Sequence, residues 1–149
     1  MLGRVLIDTD VIIDVLRKKP IEFSKEALKR IEKGEFEGFV SVLTVFELYI
    51  GARMNPKPEK ARERLDRLLE RLGKLDVSEE IAENAGWKLG ALYLKGIPVE
   101  NIDMLLATTA EKIGADYFLT RNIKHYEKIE VIRPILTTPE KFMEIKHTN

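Results

Sequence analysis

The stretch Arg4-Val5-Leu6-Ile7-Asp8-Thr9-Asp10 decides the fold. Val5, Leu6 and Ile7 form an unbroken apolar run, which suits a strand buried on both faces of a parallel sheet. The run ends on a carboxylate. In open α/β sheets, ligands gather beyond the carboxyl ends of strands, near the point where strand order reverses. Asp8 stands at such an end, and a carboxylate in apolar surroundings is costly unless a hydrogen bond, a cation or a metal compensates it.

Working outward, short apolar runs recur at 39–42, 75–77, 117–120 and 131–132, with helical patterns between them. Ser24 is expected to cap a helix reaching Lys33, with Gly34 as its stop. The apolar stretch from Thr44 to Arg53 predicts a buried helix. After Pro56 and Pro58, residues 59–72 carry Ala61, Leu65, Leu68, Leu69 and Leu72 on one stripe, closed by Gly73. Ser78 opens a long helix through Lys95, another runs from about Glu100 to Ile113, and Pro139 starts a short terminal one. Strands alternating with helices predict a parallel sheet with helices on both faces. No linker or repeat divides residues 1–149, so one three-layer α/β/α domain is expected.

Composition narrows the functional classes. The 149 residues are 44% hydrophobic and 34% charged, a globular composition whose charge excess resembles the Lys/Glu enrichment of heat-adapted proteins. The absence of cysteine excludes disulfides, thiolate nucleophiles and cysteine zinc sites. No apolar stretch is long enough to span a bilayer, and the N-terminus lacks a signal-peptide pattern, so a cytoplasmic location is expected. With 25 basic and 25 acidic residues, a nucleic-acid partner would be held by a local patch or through metal ions. The basic residues between Arg53 and Lys74 read either as a solvated helix face with Glu63–Arg67 and Glu70–Lys74 pairs or as a phosphate-facing surface.

Three further stations share the character of Asp8: Thr44-Val45-Phe46-Glu47-Leu48, Asn101-Ile102-Asp103-Met104-Leu105 and Leu119-Thr120-Arg121-Asn122. Each also has a structural explanation. Asp8, or Asp10 or Asp14 beside it, can cap a helix; Thr44 and Glu47 match a capping box; Asp103 suits the positive end of a helix dipole. Asn122 follows a strand, whereas Asp116 precedes it and belongs to a turn at the opposite edge. Arg121 and Lys124 are candidate phosphate contacts, and Thr9, Asp10, Thr44 and Thr120 candidate supports. Three carboxylates converging without a cation would repel one another and take up protons. Oxygen ligands select hard ions such as Mg²⁺ or Mn²⁺, which pair with phosphates. That chemistry leads to metal-assisted phosphodiester hydrolysis. A metal-free acid–base route would have to use His125 or His147, both late in the chain.

Read together, Leu6-Ile7-Asp8-Thr9-Asp10, the run from Ser41 to Gly51, the run from Asp103 to Ala110 and the run from Leu119 to Tyr126 resemble the PIN-domain ribonucleases. Within that family they look most like VapC-type toxins of prokaryotic toxin–antitoxin pairs. The resemblance implies a parallel sheet in the order 3-2-1-4-5 with Asp8, Glu47 and Asp103 as Mg²⁺ or Mn²⁺ ligands and Asn122 as a fourth catalytic position. It also implies cleavage of single-stranded RNA, homodimerisation and inhibition by a small antitoxin. Many relatives carry a fourth acid at or just after the position of Asn122; the neutral Asn122 here lowers the site's charge and disfavours a tightly held second metal. Two other readings compete. Asp8-Thr9-Asp10 also opens phosphatases of the haloacid-dehalogenase type, with Asp8 as nucleophile and Asp10 as acid/base. A PIN-like module could alternatively bind metal or RNA without turnover. The small-residue stripe Ala82, Gly86, Gly90, flanked by Trp87, Tyr93 and Leu94, permits close approach of another backbone, either inside the monomer or across an interface with a second copy, and the interface is the reading favoured here.

Overall fold

The chain is described by a computed structural model covering residues 2–146; His147 lies outside the described residues. Strand β1 (Gly3–Ile7) leads directly into α1 (Thr9–Leu16), followed by α2 (Glu22–Glu32), β2 (Phe36–Ser41), α3 (Val42–Met54) and α4 (Pro58–Leu69). Then come β3 (Gly73–Leu75), α5 (Glu79–Leu94), α6 (Asn101–Lys112), β4 (Tyr117–Leu119), α7 (Ile123–Tyr126), β5 (Leu136–Thr137) and α8 (Pro139–Glu144). The five strands form one sheet in the order β3-β2-β1-β4-β5, and every pairing is parallel. Among the described residues no helix is long and apolar enough to cross a membrane.

Alternation along β1 explains the layers. Val5 and Ile7 face one core with residues of α1, α2, α4 and α8, while Leu6 faces a second core with residues of α5, α6 and α7. Leu119 and Phe118 of β4 divide in the same way. Side chains alternate faces along a strand, so an unbroken apolar run serves both layers at once. Close packing fixes Gly38 in β2: a Cβ there would lie 2.6 Å from Ile31 Cγ2. Gly34 ends the α2 segment at φ +81°, a conformation that favours glycine.

Several boundaries depart from expectation. The fifth strand is Leu136–Thr137 rather than 131–132, because Pro134 sits in a 3-10 turn at Arg133–Ile135 and the chain pairs with Phe118 and Leu119 only beyond it. Ile132 is apolar because it is core, fully buried against the α5–α6 layer. β2 and β3 each begin earlier than predicted. Ser24 does not cap α2; it lies inside the helix, fully buried. Ser41, not Thr44, caps α3 through its hydroxyl to the amide of Leu43, so Thr44 and Glu47 do not form a capping box. Nor is α3 a buried helix: Phe46, Ile50 and Met54 are exposed along its outer side. Lys74 reaches the carbonyl of Leu69 rather than Glu70, while Glu63 and Arg67 do pair, at 3.9 Å.

Candidate active site

Strand order reverses between β1 and β4, which opens a crevice at their carboxyl ends. Asp8 follows β1 there, and Thr120 to Asn122 follow β4. Asp8 is itself the N-cap of α1: its Oδ1 accepts the Thr9 amide at 2.8 Å. Its Oδ2 accepts the Thr120 hydroxyl at 2.8 Å and the Tyr126 hydroxyl at 3.1 Å. The capping and functional readings of Asp8 therefore describe one geometry. Burial raises the Asp8 pKa even against these hydrogen bonds, because desolvation disfavours the charged form.

Around Asp8 the fold gathers Thr9, Asp10, Glu47, Asp103 and Asn122 into one pocket of about 360 Å³, with Glu100, His125 and Tyr126 also in its wall. Asp103 comes from the first turn of α6, as expected, and is half-buried. Burial raises its pKa too, and the charges of Asp8 and Glu100 push in the same direction. His125 Nδ1 lies 3.4 Å from Asp103 Oδ2. Glu47 extends from α3 into more open space, where its Oε1 is 3.1 Å from the Thr9 hydroxyl. That hydroxyl is also 2.9 Å from Thr44 Oγ1, so Thr44 can donate to Thr9 while Thr9 donates to Glu47. Thr44 and Thr120 are both fully buried and hydrogen-bond to Thr9 and Asp8, respectively.

Asp10 and Asp14 do not cap a helix; both lie inside α1. Asp10 Oδ2 accepts the Arg121 amide at 2.9 Å, while its Oδ1 is buried without a hydrogen-bond partner. Burial, then the charge of Asp8, raises Asp10 to about 6. Asp14 is wholly buried and binds the Arg121 guanidinium and the Ser24 hydroxyl. Arg121 is therefore a clamp on α1 rather than a guanidinium aimed at phosphate. Lys124 is exposed and lies outside the pocket wall. Asp116 sits at the far edge of the sheet, where it accepts the Arg4 amide at 2.8 Å. Tyr126 and Glu100 were not singled out from sequence. Only the packing of α7 beside β4 turns the Tyr126 hydroxyl toward Asp8.

Which group would satisfy this pocket follows from its donors. They are oxygens with one imidazole nearby, three of the carboxylates have raised pKa values, and one buried oxygen on Asp10 is unpartnered. Such a set suits a hard divalent cation in kind. It is not finished as a cage: among the described residues, no three Asp, Glu or His side chains are already arranged to hold a metal ion.

An acidic pocket at the switch point of an all-parallel 3-2-1-4-5 sheet defines the class as a three-layer α/β protein with a carboxylate centre. Residues 5–130 match the model of the PIN domain, and the chain belongs to the PIN-domain family. Among its relatives, "Ribonuclease VapC2" of Haemophilus influenzae is 27% identical over 130 residues, covering 87% of this chain and 95% of that protein. "tRNA(fMet)-specific endonuclease VapC" of Salmonella typhimurium is also 27% identical, with the same coverage. In solved structures, VapBC2 from Rickettsia felis, crystallised with a promoter DNA fragment, contains a chain similar to this one at TM-score 0.78 and 26% identity, covering 91% of this chain and 98% of that one. DNA-bound VapBC from Salmonella typhimurium gives TM-score 0.77 and 26% identity, covering 93% of this chain and 99% of its own. Family membership removes the haloacid-dehalogenase reading, and with it the role of Asp8 as a covalent nucleophile.

Proposed function

We propose that this chain is a Mg²⁺- or Mn²⁺-dependent endoribonuclease that cuts single-stranded RNA and serves as the toxin of a toxin–antitoxin pair. The observation that carries this reading is the gathering of Asp8, Glu47 and Asp103, with Asn122, around one pocket at the switch point. Ribonuclease relatives and toxin–antitoxin structural neighbours support the same assignment. Asp8, Asp103 and the exposed Glu47 would hold the ion. When bound, the ion supplies positive charge for the phosphate oxygens and eases deprotonation of water. The protein's own part is orientation. Thr9, Thr120 and Tyr126 fix Asp8, and the Thr44–Thr9 relay aims Glu47. Water then attacks in line with the departing 3′ oxygen, leaving 5′-phosphate and 3′-hydroxyl ends.

Two surfaces suit partners. A groove of about 690 Å³ between α1, α3 and α4 meets the acidic pocket at Ile13 and Glu47. Its floor includes Leu16, Leu48 and Leu65, and its rim carries Arg17, Lys18, Lys57, Lys60 and Arg64. Apolar floor and basic rim complement an amphipathic acidic segment, and we assign this groove to an antitoxin segment of that chemistry. On α5, Trp87 and Leu94 are 84% and 91% exposed, and the open Gly86 and Gly90 lie on the same helix. This face fits a second copy of the chain. A cytoplasmic location accords with such a role.

The test is incubation of purified protein with unstructured RNA in Mg²⁺, Mn²⁺ or EDTA. Cleavage with either ion, none in EDTA, and none by Asp103→Asn is expected. An intact substrate under every divalent ion would overturn the enzyme reading in favour of a binding module without turnover.

A further inference from the structure

His125 is the penultimate residue of the short helix α7, and its neighbour holds that helix in place. Tyr126 is buried, with its ring on Phe118 at a centroid distance of 4.6 Å and its hydroxyl donating to Asp8 Oδ2 at 3.1 Å. Successive helical residues point about 100° apart. Burying Tyr126 therefore leaves the His125 side chain outside the core, 55% exposed, in the wall of the acidic pocket. There its Nδ1 stands 3.4 Å from Oδ2 of Asp103, the carboxylate in the first turn of α6.

That separation is longer than an ordinary hydrogen bond of about 2.7–3.2 Å, so the ring stands beside the acid without being locked to it. It is close to the span of two ligands on one ion. With bonds of about 2.1 Å, neighbouring ligand atoms lie about 3.0 Å apart on an octahedral centre and about 3.4 Å apart on a tetrahedral one. We propose that His125 Nδ1 is a nitrogen ligand that shares a divalent cation with Asp103 Oδ2 and turns the preference of the centre from Mg²⁺ toward a first-row transition ion. This rests on the metal-carboxylate reading given above. Carboxylate and water oxygens serve Mg²⁺, whereas imidazole suits the transition ions.

Mn²⁺ reports the contact directly, because the nuclear spin of a bound nitrogen modulates its pulsed electron paramagnetic resonance signal. The full chain loaded with Mn²⁺ should show imidazole-nitrogen modulation, and His125→Ala should lose it. Removing even a group that supports a metal ligand from behind commonly costs about 10–100-fold in affinity. Mn²⁺ affinity in His125→Ala should therefore fall by about tenfold or more, while Mg²⁺ affinity, read by competition, stays within about twofold. His125→Asp, which returns an oxygen ligand, should lack the modulation and bind Mg²⁺ more tightly than His125→Ala. Bound Mn²⁺ without nitrogen modulation, modulation that persists in His125→Ala, or equal losses for the two ions would overturn the nitrogen ligand and leave the carboxylate site standing. If the wild-type protein binds no Mn²⁺, the metal-carboxylate reading falls and this inference falls with it.

Discussion

The Arg121 guanidinium grips the Asp14 carboxylate at two points, with Nη2 2.8 Å from Oδ1. Asp14 lies wholly inside the protein, and Ser24 of α2 completes its hydrogen bonding at 2.8 Å. One ion pair thereby joins the end of β4 to α1 and α2, beside the acids at the crevice. Removing one partner of such a pair strands a buried charge. Arg121→Ala should therefore lower unfolding stability in urea by about 3 kcal/mol. Lys124→Ala, at an exposed neighbour, should change it by less than about 0.5 kcal/mol. Equal effects at the two positions would remove the clamp from the account.

Asp10 makes the metal-free protein pH-sensitive. Its pKa stands at about 6, above the unfolded value of 3.8, through burial and then the charge of Asp8. Between those values the folded state holds more protons than the unfolded one, so this residue's contribution to stability falls as pH rises through that window. In EDTA, Asp10→Asn should match the wild type near pH 4. At pH 7 it should be more stable by on the order of 1 kcal/mol, after allowance for solvent screening. A less stable variant at pH 7 would reverse the sign of the argument.

Metal binding should stabilise the fold through Asp8 and Asp103. At about 100 times the dissociation constant, Mn²⁺ is expected to add about 2.7 kcal/mol, read as a rise in melting temperature. Asp8→Asn should abolish most of that rise. A rise of equal size in the variant would place the ion elsewhere.

Position relative to the sheet, not acidity alone, should govern cleavage. Asp103→Asn is expected to reduce RNA cleavage by more than about a hundredfold, because it removes a proposed ligand. Asp116→Asn should leave cleavage nearly intact, since Asp116 lies at the opposite edge holding the Arg4 amide. Similar losses in both would mean that general destabilisation, not the crevice, controls activity.

The α5 face supplies a separate test. Gly90 has open space where a side chain would project, so Gly90→Leu should fold normally. If a second copy covers this face, sedimentation should show weaker self-association than in the wild type. Unchanged association would move the dimer contact to another surface.

Local chemistry made much of this protein readable. The Val5-Leu6-Ile7 run required a strand with two buried faces, and alternating patterns required helices on either side. Asp8 at the end of β1 and Asp103 at the start of α6 were legible because their placement depends on nearby residues. The order 3-2-1-4-5, by contrast, came from the resemblance of the ordered motifs to a family. Strand pairing joins residues far apart, as in Leu136 beside Phe118, and a short apolar run does not reveal its partner. Hence 131–132 looked like a strand and Leu136–Thr137 did not.

The same limit applies within the site. From sequence alone, Arg121 was a cation beside a candidate ligand, Tyr126 an aromatic residue at the end of the run from Leu119, and Asp14 one more acid in a first turn. Tertiary packing turned Arg121 toward Asp14 and Tyr126 toward Asp8, across separations of 107 and 118 residues. Sequence by itself determined which residues carry charge and where each strand and helix tends to form. Only the tertiary structure decided which charges meet, because that depends on how the helices dock on the sheet rather than on spacing along the chain.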